Sequence, residues 1–582
     1  MPRELITVQV GQCGNQIGRQ FWQLALEEHA KVCTHTCSSA ADSLLFDSRG
    51  LSLSFLPPPT QHSKKGRFDE SMSTFFRNVD TRYSDPMDLP FADGKAAIRS
   101  LKARAVLVDM EQGPVTETLS GPLGELFDQQ QFITDVSGSG NNWCALRYAF
   151  GWAHGHCLYG PKYKDELLNK LRRATELCDS LQSFFVLHSM GGGTGSGLGT
   201  YILGLLEDHF PEVYRFTSCI FPSEDDDVIT SPYNSVLALR ELTEHADCVL
   251  PIENEALMDM CAKIEKSSVH FSSLADTGLG SGTTSVSAAV LNGFRLSDSI
   301  DLRELEHLYM KGGKDPASKK ATQTQTSKKR AAGTGTTGAS MKPKSKVSQA
   351  TSAFGEMNNI VARLLTNLTS SMRFEGSLNV DLNEITTNLV PFPKLKFLLS
   401  SMSPMFSTID PRQQPRRLAQ MFSDAFQKDH QLIRTNPRSS VYLACGLLLR
   451  GDVEVSDINA NIQRIQADVR MIHWNQEGFK VGLCSVPPIG QRQALLCLSN
   501  NCCIRETFER LHDRFRKLYV RKAHVHHYIE YMEAARLSEA LENARDLIDE
   551  YAKLEQSAYQ VGTSPPANAA TTANTKRLHP LF

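Results

Sequence analysis

The amino-acid sequence predicts an α/β protein whose N-terminal part is a largely parallel sheet that binds a phosphorylated ligand. Short apolar strands alternate with amphipathic helices through residues 1–265. A glycine-rich run at 191–197 lies between a strand-like segment, 184–189, and an apolar helical segment, 198–210. Alternation of this kind places ligand-binding loops at the carboxyl ends of the strands.

The glycine-rich run has the chemistry of a phosphate loop. Its five glycines lack the Cβ atoms that keep backbone N–H groups away from an anion, and the next helix turns its positive end toward the loop. It has no lysine of the Walker type, and its glycine spacing differs from that of the dinucleotide fingerprint. Ser196 lacks the flanking glycines of a hydrolase nucleophile. We therefore expect a phosphate loop outside these three common classes.

Length and composition indicate a globular chain of two or three domains. The 582 residues are 41% hydrophobic and 22% charged, and the formal charge of -2 gives no bulk attraction to nucleic acid or to an acidic membrane. The first ten residues predict a buried strand instead of a signal peptide, and no segment is long enough to span a bilayer. We expect a soluble, intracellular protein without nucleic-acid or membrane partners.

Cysteine and histidine usage does not predict a zinc site. The 14 cysteines indicate free thiols in a reducing compartment. His29, Cys33, His35 and Cys37 have metal-ligand spacing, yet no second ligand pair accompanies them, so core or surface histidines are the favoured interpretation.

Composition and periodicity divide the chain further. Residues 31–95, rich in Ser, Pro and charge, predict a surface insertion within the nucleotide-binding domain 1–265. Residues 266–353 predict a second insertion, largely disordered because its middle has almost no large apolar residue to offset the ordering entropy. The remaining divisions are a long core helix and second α/β region at 354–505, C-terminal helices at 506–555, and a flexible tail at 556–582.

Seven motifs make the chain resemble the tubulin family. They occur in family order and span most of the chain outside the two insertions, at 11–18, 108–111, 141–143, 189–197, 231–235, 253–256 and 388–393. The resemblance implies a tubulin-like fold. That fold has a parallel-sheet nucleotide-binding domain, a long core helix, a second α/β domain and C-terminal helices, here with two large insertions.

Three features make the chain most like epsilon-tubulin within the family. They are the large insertion between the helices of Asn254 and Phe354, the acidic segment 221–227, and the absence of an acidic C-terminal tail. A delta-type tubulin and a divergent alpha-type chain are the alternatives.

The resemblance assigns a GTP site residue by residue. The GTP-binding residues that it implies, from first phosphate loop to base, are Gly11, Gln12, Cys13, Gln16, Asn141, Ser189, Gly191, Gly192, Gly193, Thr194, Gly195, Asn254, Phe354 and Asn358. Asn141 matches the terminal-phosphate contact, Asn254 and Asn358 match the guanine-reading amides, and Phe354 replaces the family's base-stacking tyrosine. Glu111, supported by Asp109, matches the acidic residue that reaches Mg²⁺.

One carboxylate is implied to act on another subunit. Glu384 matches the glutamate that alpha-tubulin presents to the nucleotide of the next subunit, where it positions or activates water. Two departures from the family leave the ribose contacts open. Ser231 stands where a glutamate usually precedes Pro-Tyr-Asn-Ser, and the acidic run 225–227 occupies the sugar loop.

The resemblance thus implies a GTP- and Mg²⁺-binding epsilon-type tubulin that acts in microtubule organisation at the centriole or basal body. It places the chain in the cytoplasm and cytoskeleton, in longitudinal contact with other tubulins and with delta-tubulin and centriolar proteins as further candidates. Whether the chain hydrolyses GTP stays open. The alternative is a non-hydrolysing scaffold in which GTP is a structural cofactor.

Overall fold

A computed structural model of the chain describes residues 3–37, 70–82, 87–89, 99–135, 151–223, 226, 228–264, 346–374, 376–405 and 416–561. The chain forms two units, one of residues 1–265 with 357–582 and one of 266–356, and only 346–356 of the second are described. Asn141 and the C-terminal residues after 561 lie outside the described residues.

A six-stranded parallel sheet organises the N-terminal part, as predicted. Its strand order is β6-β5-β1-β7-β8-β9, and every neighbouring pair is parallel. The strands are β1 (Glu4–Val10), β5 (Ala105–Asp109), β6 (Phe132–Thr134), β7 (Leu181–Ser189), β8 (Tyr214–Phe221) and β9 (Cys248–Glu253). Their apolar runs are buried, as expected of a parallel sheet that is covered on both faces.

Helices cover both faces of this sheet. α1 and the core helix (α7, Lys346–Leu368, from Met357 onward) pack on one face, while α3, α4, α5 and two C-terminal helices pack on the other. The helices of this N-terminal part are α1 (Gly11–Cys37), α2 (Gln112–Ser120), α3 (Gly160–Glu176), α4 (Gly199–His209), α5 (Ser231–His245) and α6 (254–264). Strand order reverses between β1 and β7, which creates the switch point where ligands bind in such sheets.

The prediction of a surface insertion at 31–95 is wrong at both of its ends. α1 continues to Cys37, and Phe75 and Phe76 are fully buried against Trp22. They lead into a small antiparallel sheet of order β3-β2-β4, made by β2 (Phe76–Asp80), β3 (Met87–Leu89) and β4 (Leu101–Ala103). This aromatic cluster was missed because its apolar residues are few and stand among polar ones.

His29 is a core histidine, as the sequence analysis favoured. It is buried, and its ring lies 4.9 Å from that of Phe374. Burial, with the charge of Arg373 nearby, lowers the pKa of His29 to about 3, so the imidazole is neutral.

The long core helix starts before its predicted first residue. α7 spans Lys346–Leu368, so the predicted boundary of the insertion at 353 is too late, and α7 contributes its apolar stripe to the core shared with α1 and α6. A second sheet of order β10-β13-β11-β12 follows. Its elements are α8 (Leu382–Leu389), β10 (Leu399–Ser403), α9 (Leu418–Ala425), β11 (Tyr442–Gly451), α10 (Val455–Gln466), β12 (Phe479–Cys484) and β13 (Gln493–Asn501).

Two long helices end the described chain. α11 (Ile504–Val520) and α12 (Ala535–Val561) bury one face each against α5, and a single turn at His526–Ile529 lies between them. α12 extends past the predicted start of the flexible tail at 556. No helix among the described residues has the length and apolarity needed to cross a membrane.

Candidate nucleotide-binding site

Two loops at the carboxyl ends of β1 and β7 meet at the switch point of the sheet. α1 begins directly after β1 at Gly11, whose φ of +74° lies in the left-handed region that favours glycine. A Cβ atom on Gly11 would lie 3.3 Å from the backbone nitrogen of Gly195 and 3.6 Å from the Thr194 Cβ. The two predicted phosphate loops are therefore in contact, although they are far apart in the sequence.

The glycine-rich loop is shaped by close backbone packing. It leaves β7 at Ser189 and enters a π-helical turn, Thr194–Leu198, before α4 begins. Its first two glycines are partly exposed and the next three residues are buried. A Cβ atom on Gly195 would lie 2.8 Å from the Ser189 carbonyl oxygen. Because the loop has no lysine, its backbone N–H groups are the donors that it offers to an anion.

Side chains from α5 hold this loop in place. Asn234 donates a hydrogen bond from Nδ2 to the Gly191 carbonyl (2.8 Å), and Ser235 donates from Oγ to the Met190 carbonyl (3.2 Å). The Tyr528 hydroxyl donates in turn to Asn234 Oδ1 (2.6 Å). The glycine-rich loop is thus anchored through α5 to a tyrosine of the C-terminal region.

The first loop presents polar side chains beside a protonated thiol. Gln12 is exposed, while Cys13 and Gln16 are partly buried. Burial raises the pKa of Cys13 to about 12, so its thiol stays protonated and is a poor nucleophile. Asn15 donates from Nδ2 to the Gly11 carbonyl (3.0 Å) and closes the loop on itself.

Asp109 and Glu111 stand at the carboxyl end of β5, next in the sheet to β1. Asp109 is buried, and its Oδ2 has no hydrogen-bond partner among the described residues. Burial, together with the charge of Glu111, raises the pKa of Asp109 to about 7. Glu111 is exposed and its backbone N–H donates to Asp109 Oδ1 (3.2 Å).

These carboxylates fit a divalent cation. A buried oxygen without a partner and an exposed carboxylate two residues later are suitable donors for Mg²⁺, which takes few protein ligands alongside phosphates and water. Within the described ranges, no group of three or more His, Cys, Asp or Glu side chains forms a complete protein cage for a metal ion.

The two amides predicted to read guanine belong to two helices that pack in the same hydrophobic core. Asn254 is the first residue of α6, and Asn358 lies within α7. Both Asn254 and Asn358 are partly exposed. Met357, which precedes Asn358, packs in the same hydrophobic cluster as Leu257 of α6. The stacking candidate Phe354 is 54% exposed and belongs to the second unit of the chain.

The sugar loop carries a carboxylate near the residue that departs from the family. Ser231 is fully buried, and its Oγ has no partner among the described residues. A Cβ atom on Gly191 would lie 3.0 Å from that Oγ and 3.4 Å from Asp226 Oδ2. Arg514 of α11 donates to the Ser223 carbonyl (3.1 Å) at the start of the loop. An acidic group is therefore present beside the phosphate loop even though Ser231 itself carries none.

Glu384 lies in the first turn of α8. Its side chain is 45% exposed, and its Oε2 pairs with Lys480 Nζ at 2.8 Å. Lys480 is not one of the predicted site residues. The structure thus brings the phosphate-loop and cation candidates together and leaves Glu384 on the surface.

Sequence reasoning missed the residues that anchor the phosphate loop. Asn15, Asn234 and Ser235 stand inside motifs that carried the resemblance, so their positions were visible but their roles were not. Tyr528 stands in a histidine-rich tract, and no local pattern connects it with a loop more than 300 residues earlier.

This arrangement defines a class of protein: an α/β nucleotide-binding protein whose phosphate loops meet at the switch point of a parallel sheet and use backbone donors in place of a Walker lysine. Two family models match the chain, the GTPase domain of the Tubulin/FtsZ family at residues 4–262 and the tubulin C-terminal domain at 393–513. The chain belongs to the tubulin family. It is a tubulin-type GTP-binding protein.

Comparison with individual relatives separates the branches of the family. The chain is 47% identical over 564 residues to the human tubulin epsilon chain, which covers 94% of this chain and 96% of the human one. The mouse tubulin epsilon chain is 46% identical over 94% of this chain and 96% of the mouse chain. A tubulin beta-2 chain from Suillus bovinus is 28% identical over 96% of this chain. The prediction that the chain is most like epsilon-tubulin is confirmed.

Proposed function

We propose that this chain binds GTP with Mg²⁺ at the two glycine loops and works as an epsilon-type tubulin in microtubule organisation at the centriole or basal body. The observation that carries the nucleotide site is the contact of the Gly11 loop with Gly195 at the switch point. The residues in this contact are those that the family resemblance assigned to the phosphates. Asp109 and Glu111 hold the cation in this proposal.

The proposed site reads guanine with Asn254 and Asn358. The family resemblance assigns the terminal phosphate to Asn141, which lies outside the described residues. In this proposal the longitudinal partners of the chain are other tubulins, with delta-tubulin the first candidate. The chain is located in the cytoskeleton of the cytoplasm. Centriolar proteins are further partners in this proposal.

The first test is the nucleotide that the purified full-length protein carries. The protein is purified with and without Mg²⁺ and denatured, and the released nucleotide is identified and quantified. We expect near-stoichiometric GTP or GDP with Mg²⁺ and less without it. A protein purified without any guanine nucleotide, and unable to bind added GTP, would contradict the proposed site.

Glu384 is proposed to act on the nucleotide of the neighbouring subunit. Its partial exposure and its position on a surface helix support presentation to another molecule. A carboxylate can orient an attacking water while Mg²⁺ and backbone dipoles stabilise the phosphoryl charge.

A second candidate function is a scaffold that holds GTP without hydrolysing it. The ion pair with Lys480 supports this candidate, because it occupies the Glu384 carboxylate within its own chain. Glu384→Gln distinguishes the two. Asp457→Asn is the matched control, since Asp457 is an exposed carboxylate in the first turn of α10.

Phosphate release is measured for both variants mixed with a partner tubulin. If Glu384 acts in trans, Glu384→Gln loses most of the assembly-dependent release and Asp457→Asn keeps it. Equal release from the wild type and both variants, together with normal centriole assembly when Glu384→Gln replaces the wild type in cells, would favour the scaffold.

A further inference from the structure

Four exposed cations stand together at the end of α11 and in the turn after it. Arg516, Lys517, Arg521 and Lys522 form this group, which we call the basic ridge. No acidic residue occurs in the sequence from 514 to 529. None of the four cations has an ion-pair partner among the residues that the structure describes.

The helix dipole accounts for only part of this charge. Lysine in the last helical turn is favoured by the partial negative charge at a helix C-terminus, and Lys517 is such a residue. The effect fades beyond the last turn. Arg516 lies before the last turn of α11 and Lys522 lies beyond the cap residue Arg521, so the dipole gives less reason for their charge.

The turn that carries the ridge is held in an unfavourable backbone conformation. Lys522 and His524 have φ values of 50° and 58°, in the left-handed region that costs an L-residue about 1–2 kcal/mol. Two buried tyrosines hold the turn in this shape. Tyr233 donates from its hydroxyl to the Ala523 carbonyl (2.9 Å), and the Tyr528 hydroxyl donates to Asn234.

Two large aliphatic side chains are exposed in the same stretch of chain. Val520 is 73% exposed and Ile529 is 49% exposed. Isolated exposed aliphatics are ordinary on a protein surface. Here Val520 directly precedes Arg521 in the sequence, and Ile529 ends the helical turn that follows, so a ligand that lies along this stretch would meet both charge and apolar side chains.

We propose that the basic ridge is a docking surface for an acidic segment of a protein partner. The carboxylates of that segment pair with Arg516, Lys517, Arg521 and Lys522, and its apolar side chains cover Val520 and Ile529. Charge complementarity selects the acidic partner, because the ridge is a local positive surface on a chain of formal charge -2. The surface is independent of the proposed catalytic role of Glu384.

A protein segment fits this surface better than a nucleic acid does. Single-stranded nucleic acid is bound by cationic grooves with exposed aromatic rings that stack on bases. Between Arg516 and Ile529, no Phe, Tyr or Trp is exposed: Tyr519 is partly buried and Tyr528 fully. The exposed groups other than cations and histidine are aliphatic.

The test uses the full-length protein and two fluorescent peptides of equal length, poly-glutamate and a glutamate peptide with leucine at every fourth position. The ridge variant is Lys517→Glu/Arg521→Glu/Lys522→Glu. The matched control is Lys164→Glu/Arg172→Glu/Arg173→Glu, which reverses three exposed cations of α3 and changes the net charge equally. We expect the ridge variant to bind both peptides at least about tenfold more weakly and the control to change affinity less than about twofold.

A further variant tests the apolar part of the surface. Val520→Ser, which removes apolar surface without adding charge, is expected to weaken the leucine-containing peptide more than poly-glutamate. Binding is expected to fall as salt rises, because the contacts are between exposed charges. Unfolding midpoints of all variants check that they fold, and Lys517→Glu alone replaces the triple variant if that one does not.

Three results would overturn the proposal. The first is equal loss of peptide binding in the ridge and α3 variants, which would mean that peptide affinity depends only on the net charge of the protein. The second is tighter binding to oligo-thymidylate or to phosphatidylserine vesicles than to either peptide. The third is no saturable binding of either peptide at low salt.

Discussion

Asp109 and Glu384 are two carboxylates that the family resemblance connects with the same nucleotide chemistry, and their surroundings are opposite. Asp109 is buried at the switch point, where one oxygen has no partner among the described residues. Glu384 is half exposed on a surface helix and pairs with Lys480. The fold buries Asp109 without any partner molecule, whereas Glu384 needs a neighbouring subunit to reach a nucleotide in the function that we propose.

The largest effect is expected from Asp109→Asn in the absence of Mg²⁺. The folded protein holds a proton on Asp109 up to about pH 7, while the unfolded chain releases it near the ordinary carboxyl pKa. Wild-type stability therefore falls as the pH rises through this interval, by an amount on the order of 4 kcal/mol. Asparagine removes the buried charge, so Asp109→Asn is the more stable protein at pH 8 and equals the wild type at pH 4.

Urea unfolding at pH 4, 6 and 8 measures this difference, with Asp457→Asn as the exposed control. Mg²⁺ at pH 8 is expected to stabilise the wild type and not Asp109→Asn. Parallel pH profiles of the wild type and Asp109→Asn would contradict the assigned environment of Asp109.

Gly195→Ala is expected to weaken GTP binding by about a hundredfold. Its Cβ would lie 2.8 Å from the Ser189 carbonyl, so the loop must shift, at a cost of about 1–3 kcal/mol, and its N–H groups lose their alignment. Gly113→Ala is the control, because no atom lies within 4 Å of a Cβ there. Titration with a fluorescent GTP analogue reports the affinities, and retention of wild-type affinity by Gly195→Ala would mean that the loop does not hold phosphate.

The smallest effect is expected on the folding stability of Glu384→Gln. An exposed ion pair such as that with Lys480 contributes about 0–1 kcal/mol, so the free energy of unfolding should change by less than about 0.5 kcal/mol. Urea unfolding of the isolated subunit measures it. A loss of several kcal/mol would show that Glu384 is a structural residue and would remove the contrast with Asp109.

The parts of the site that follow from backbone chemistry were predictable from the sequence. Gly11 has a left-handed backbone conformation and Gly195 leaves no room for a Cβ, and glycine clusters after a strand are visible without a structure. The environment of Asp109 was not predictable, because its burial depends on how α1 and β5 pack. Tyr528 and Arg514 were missed for the same reason: each acts across a tertiary contact that no local spacing records.

The predicted segment boundaries were wrong where local composition and tertiary packing disagree. Phe75 and Phe76 stand in a stretch whose composition resembles a surface loop, yet they complete the core around Trp22. α7 begins at Lys346, within a segment whose small and basic residues gave no apolar stripe to read.

The anchoring of the glycine-rich loop through Asn234 and Tyr528 has a practical consequence for protein production. A fragment limited to residues 1–265 matches the family GTPase model in length, but it lacks the hydroxyl that holds Asn234 and the helices that cover Tyr233. Such a fragment would expose the apolar side of α5 and leave its nucleotide loop without support. The first 265 residues thus correspond to a domain by sequence comparison, but they lack contacts that stabilise their fold. Protein prepared for biochemical work should therefore include the chain through the end of α12.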